Sequence, residues 1–289
     1  MEKIYKKESF AGNNSLDKII IRVDFLTLEQ QDLEKIIEKI SQNLGEEYKY
    51  SKIDNYNINL DISDPKKLIT QDFIEQKVDL KNNYEFKEEQ KQTRFVMNQN
   101  FFLYERRNFN DYEGSDNDTN LFIKLLGEIF EYKPQIQRLG VRKINCFYTK
   151  KELKYLKKII KDKFINRIEK DINPRYKMSY TPLESNDKDG YNLNMQLDYG
   201  ILNKDEKNSE VYRYILDIDS YVRDIDKIND LKKVSSEILQ LKNKDFEIYV
   251  GELQEKFLDV MISRNSKSEF DENIKKFGII HGVNYGKQL

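Results

Sequence analysis

Between residues 191 and 199 the chain alternates without a fault: Tyr191, Leu193, Met195, Leu197 and Tyr199 are separated by Asn192, Asn194, Gln196 and Asp198. Successive side chains on a strand point to opposite faces, so this run has one apolar and one wet face, the mark of an antiparallel sheet covered on a single side. A second such run occupies 48–62, where Tyr56, Ile58, Leu60 and Ile62 alternate with Asn55, Asn57, Asn59 and Asp61. Helical stripes fall between the strands. Leu33, Ile36, Ile37 and Ile40 share a face of a helix that Thr27 can cap and Gly45 stops. Leu153, Leu156, Ile160, Phe164 and Ile168 share a face of a long helix over 151–170, capped by Thr149. A chain so patterned is α+β.

Further strands are expected at 18–26, 93–97, 101–107, 138–148 and 211–222, and further helices at 121–132, 226–241 and 246–263. Asn98-Gln99-Asn100 suits a hairpin turn, and the aromatic residues around it read as core. The run 68–80 fits a helix or a strand, a short irregular strand falls between Pro174 and Pro182, and 278–282 reads as an irregular tail. The acidic, Gly/Ser/Asn-rich run 111–120 lacks the spacing of a calcium loop and reads as an exposed connection. Strand-helix-strand-strand-strand-helix occurs before about residue 133 and again after it. This order implies two similar halves of antiparallel sheet covered by helices: 1–133, then 134–289 with a terminal helical segment. A groove between them is the expected binding site.

The strand at 138–148 is different in kind. Arg138, Gly140, Arg142 and Ile144 share one face, and Leu139, Val141, Lys143, Asn145 and Phe147 the other, so neither face is cleanly apolar. A Gly inside a strand marks a bulge or a close approach. Arg138 and Arg142 then read either as partners in structural ion pairs or as an anion-binding face. From Lys143 to Lys177 there are twelve Lys and Arg against four Asp and Glu. Lys150, Lys154, Lys157, Lys158 and Lys161 in this stretch are candidate contacts for a polyanion or a partner, or simply a solvated helix face. Asp217 and Asp219 point the same way with Arg213 and read as an ion pair, a solvated face or, less simply, a carboxylate pair for a hard cation.

The run Arg138-Leu139-Gly140-Val141-Arg142-Lys143-Ile144-Asn145 resembles the R-[LI]-G-[LV]-R-Y-I-N signature of a sporadically distributed, functionally uncharacterised family of bacterial and archaeal proteins of about this length. Arg94-Phe95 with 101–104, the run 215–219 (ILDID), and Leu253 with Phe257 are similar to the family's aromatic hairpin, "LLDID" strand and last helix. Lys143 stands where the family has an aromatic residue, and Gln254 where a His is common. The resemblance carries over no catalytic residue, and its sporadic distribution implies an accessory or host-defence role.

Balanced charge, 50 Lys and Arg against 51 Asp and Glu, excludes a wholly basic nucleic-acid binder and leaves only local patches. One cysteine, Cys146, and one histidine, His281, exclude an intramolecular disulfide framework and leave too few soft ligands for a typical zinc site. His281 has no evident orienting partner for general-base work. Neither a glycine-rich phosphate loop nor a nucleophile signature is present, so no cofactor and no catalytic residue is expected. No apolar run approaches membrane-spanning length, and 1–15 lacks the apolar core of a signal peptide, so a cytoplasmic protein is expected. The leading expectation is a binding or adaptor protein that acts through a protein partner. Direct nucleic-acid binding by the basic helix with Arg138 and Arg142 is the alternative, and metal-dependent hydrolysis at Asp217 and Asp219 a third.

Overall fold

The computed structural model describes residues 5–6, 10, 13–58, 78–107, 113–161, 176–180, 188–204, 207–262, 266–281 and 284–285. Their centre is an antiparallel pair, β2 (Leu16–Phe25) and β7 (Ile136–Lys150), hydrogen-bonded with Ile21 opposite Val141. On one side follow β6 (Phe101–Arg107), β5 (Thr93–Met97), β4 (Val78–Glu88) and β3 (Lys49–Ile58). On the other follow β10 (Lys207–Val222), β9 (Asp189–Lys204) and β8 (Tyr176–Tyr180). With β11 (Ile279–His281) paired to β7 this is one ten-stranded sheet; β1 (Asn13–Asn14) and β12 (Asn284–Tyr285) form a separate pair. The fold class is therefore α+β, as the alternation requires. Direct pairing of β2 with β7 joins the strands of the two expected halves into one continuous sheet.

Seven helices among the described residues lie on one face. The pattern explains why: β2 buries Ile19, Ile21, Val23 and Phe25, β6 buries Phe102 and Tyr104, and β9 buries Leu193, Met195 and Leu197. Against them pack α1 (Gln30–Asn43) through Leu33, Ile36 and Ile40, and α2 (Glu113–Phe130) through Phe122, Leu125 and Ile129. The Phe102 and Phe122 rings stack with centroids 4.9 Å apart, each ring worth about 1.5–3 kcal/mol of burial. Farther along, α3 (Leu153–Ile159), α5 (Leu231–Glu252), α6 (Glu255–Met261) and α7 (Lys267–Lys276) cover β7, β9 and β10; α4 (Ile225–Ile228) is a single turn after β10.

Several expectations fail for local reasons. Glu29 is the N-cap of α1 and makes no side-chain cap bond; the Thr27 hydroxyl instead accepts from Asn100 Nδ2 at 2.8 Å. Thr149 is buried inside β7, and Glu152 precedes α3. That helix stops at Ile159 because the β-branched Ile160 turns extended, bridges to Leu253, and receives the Gln254 amide on its carbonyl at 3.1 Å. The same bridge splits the last predicted helix, leaving α5 continuous to Glu252. The acidic run from Glu113 is helical rather than a connection: Asp118 is held by Arg106 at 2.8 Å and Tyr104 at 3.1 Å. The tail makes β11, and α7 carries a capping box, Ser266 with Glu269, that a Ser-x-x-Glu search would have found. Residues 162–170, which include Phe164 and Ile168, and 59–77 lie outside the described residues, as do the side chains of Tyr56 and Ile58.

Candidate binding surfaces

The even-numbered residues of β7 and their neighbours form the sheet face that no helix of the described residues covers. On it Arg142 gives Nε and Nη2 to the two oxygens of Asp217, at 2.8 and 2.6 Å, and Arg138 Nη2 meets both oxygens of Asp219 at 2.9 and 3.0 Å. Arg138 also lies 3.5 Å from Asp24, itself bonded to Arg22 at 2.6 Å, and its guanidinium stands 5.4 Å from the Tyr221 ring. Gly140 is what lets Arg138 lie flat across the strand: a Cβ there would stand 2.8 Å from Arg138 Nη1. The close approach is by a guanidinium and not by a second backbone, and the β7–β10 register runs through it unbroken. Asp217 and Asp219 thus serve the two arginines, while Arg213 takes Asp198 at 2.5 Å.

The opposite wing repeats the pattern. Glu105, buried, accepts from Arg94 and Arg107 at 2.9 Å each, with Lys18 at 3.5 Å, and Arg94 also reaches Glu85 at 3.0 Å. Burial acts to raise the Glu105 carboxyl, but the hydrogen bonds from Arg94 and Arg107 and the nearby charges outweigh it and hold the group below its ordinary range. Between the pairs sit half-buried Ile20, Leu103, Ile144 and Ile215.

The basic candidates lie elsewhere. Eight residues along β7 put Lys150 about 26 Å from Arg142, and α3 is seated by Leu156 and Ile159 on the helix-covered side. Lys150, Lys154 and Lys158 ring Tyr155, their ammonium groups 5.9, 5.0 and 5.5 Å from its centroid. Lys154 is bound to Glu152, and Lys158 donates to the Lys276 carbonyl at 3.1 Å. Lys157 and Lys161 are exposed beside them. The arginines and the lysines are therefore two sites and not one.

A third polar group lies where sequence reasoning looked for none. Lys143 and Asn145 of β7 point inward beneath α5, where they separate two hydrophobic clusters, one around α1 and α2 and one around α6 and α7. Lys143 Nζ donates to the Lys242 carbonyl at 2.8 Å, Lys242 Nζ reaches Thr119 Oγ1 at 3.3 Å, and the Ser15 hydroxyl joins Tyr249 at 2.9 Å and Asn145 at 3.3 Å. Asp245 is fully buried among them, and neither carboxylate oxygen has a well-formed hydrogen bond. Burial pushes its carboxyl up to about 8, with the Lys143 charge and the Ser220 hydroxyl opposing. Asp245 sits on α5 between the apolar stripe residues Leu241 and Tyr249; its polar break in that stripe was the available signal. Cys146, half-buried on the helix-free face, has a thiol raised to about 11 by burial, too high for a reactive thiolate at neutral pH. His281 joins β11 opposite Tyr148.

Among the described residues no group of three or more His, Cys, Asp or Glu could hold a metal ion, and no helix is long and apolar enough to cross a membrane. Neither protein-family models nor curated proteins match the sequence.

Proposed function

We propose that the chain is a non-catalytic binding protein that works by contact with a protein partner, using the helix-free face of the sheet. One observation carries this reading: the charges there are already matched within the chain. Arg138, Arg142, Arg94 and Arg213 each hold a carboxylate, and Ile20, Leu103, Ile144 and Ile215 lie between them. A surface of paired charges with half-buried apolar residues between them suits a protein interface. A phosphate would first have to displace a two-oxygen carboxylate contact from Arg142 or Arg138. The resemblance at 138–145 supports placing this binding role in an accessory or host-defence setting, within the cell.

A pull-down of the tagged chain from its own host, at low and high salt, tests it by reading both protein and nucleic acid. The expected result is a stoichiometric protein that survives high salt, is lost with Ile144→Glu, and is kept when Lys154, Lys157 and Lys161 are reversed to Glu. A polyanion reading is favoured by the three ammonium groups around Tyr155. Nucleic acid that salt releases, and that the lysine reversal abolishes while Ile144→Glu does not, would establish that reading instead.

A further inference from the structure

Among the described residues the helix layer stops short of the β3 edge of the sheet. There, on the helix-covered side, a cleft of about 360 Å3 runs between α1 and the first two strands. Its floor is Tyr50 of β3 and Tyr84 of β4, whose rings stack with centroids 6.5 Å apart and planes 22° from parallel. Tyr50 is left 51% exposed, although its neighbour Phe86 is buried. The wall is α1, which contributes the apolar Ile37 and, one turn apart, Glu34 and Glu38.

Charge is handled differently here from the helix-free face. Glu34 accepts from the neutral amide of Gln30 at 2.8 Å and Glu38 from that of Gln42 at 3.3 Å. No described Lys or Arg forms an ion pair with either, and Lys35 of the same helix turns to Asp32 at 3.8 Å. Among the described residues, two carboxylates outside any ion pair thus line one cleft with two electron-rich rings. An ammonium already seeks this place: Lys52 Nζ stands 5.9 Å from the Tyr84 centroid.

We propose that this cleft takes a lysine or arginine side chain presented by a partner protein. Its alkyl stem would lie on Ile37, its cation over the Tyr50 ring, and its charge against Glu34 and Glu38. The cleft is too small for a helix or a folded surface and suits one long side chain, and charge complementarity makes that side chain basic. The site stands on the opposite side of the sheet from the face proposed above and does not depend on it.

The test is NMR titration of the isotope-labelled full chain with the capped tripeptides acetyl-Gly-Arg-Gly-amide and acetyl-Gly-Lys-Gly-amide. The control is the citrulline analogue of the first, which keeps shape and loses charge. Saturable shifts confined to α1, β3 and β4 are expected with both basic peptides, and binding about tenfold weaker or absent with citrulline. Tyr50→Ala and the pair Glu34→Gln with Glu38→Gln should each weaken binding about tenfold while shifts elsewhere stay in place, and Tyr50→Phe should retain it. Equal binding of the citrulline peptide, wild-type binding by the variants, or no saturable shift overturns the proposal. So do shifts that change on dilution of the protein alone and vanish in Tyr50→Ala, since they would assign the cleft to a second copy of the chain.

Discussion

The two faces of β7 handle charge in opposite ways. Outward, Arg142 and Asp217 meet through two hydrogen bonds with the Arg142 side chain 45% exposed. Inward, one residue along, Lys143 lies beneath α5 near Asp245, a fully buried carboxyl with no well-formed hydrogen bond. A carboxylate can be buried and stay ionised when donors surround it, as Glu105 does, and is pushed toward its neutral form when they do not. Deeper burial and the lack of well-formed hydrogen bonds together set Asp245 apart from the paired carboxylates outside.

This contrast yields graded effects. Arg142→Leu strands the buried Asp217 carboxylate and should cost about 2 kcal/mol in denaturant unfolding. Adding Asp217→Leu should recover much of it, because the stranded charge is removed as well; no recovery would mean that the pair is not the source of the loss. Gly140→Ala puts a Cβ into the Arg138 guanidinium and should cost about 1 kcal/mol, most of it absent when Arg138 is already Ala.

The pH dependences should run in opposite senses. Glu105 titrates below its ordinary value of 4.5, so its contribution is present above that pH and is lost as acid takes it through its folded pKa. Asp245 is raised from 3.8 to about 8, so the stability tied to its neutral form is complete below 3.8 and is lost as the pH rises toward 8. Asp245→Asn should therefore flatten the decline of Tm between about pH 4 and 8, by about 2–4 °C for each kcal/mol recovered. A profile that keeps its slope in the variant would show Asp245 titrating as an ordinary carboxylate. Smallest is Arg107→Ala, which leaves Glu105 with Arg94 and Lys18 and should cost under about 0.5 kcal/mol.

Much of this was legible in the chain. Period-two alternation located β9 and the apolar stripe located α1, because a side chain's face follows directly from its position along a regular backbone, while the turn at Asn98-Gln99-Asn100 placed β5 and β6 on either side of it. Arg138, Gly140 and Arg142 could be placed on one face, and ion pairing was one of two readings left open. Which carboxylates they meet was not legible: Arg142 stands opposite Asp219 in the register yet bonds Asp217, a diagonal choice made by side-chain geometry. The basic stretch misled by its length. A helix over 151–170 fitted the stripe through Ile168, whereas α3 ends where Ile160 finds a strand-like partner in Leu253, ninety-three positions away.

What the sequence by itself determined is the α+β class and the two-sidedness of the strands, since both follow from local periodicity. Only the tertiary structure decided that β2 and β7 close the seam, that the lysines and the arginines are separate sites, and that Lys143 and Asp245 share the core. It also decided that Glu34 and Glu38 flank two tyrosine rings with no ion pair to a described Lys or Arg. Each of these joins residues far apart in the chain, and such contacts depend on which elements pack together, a choice that no local pattern records.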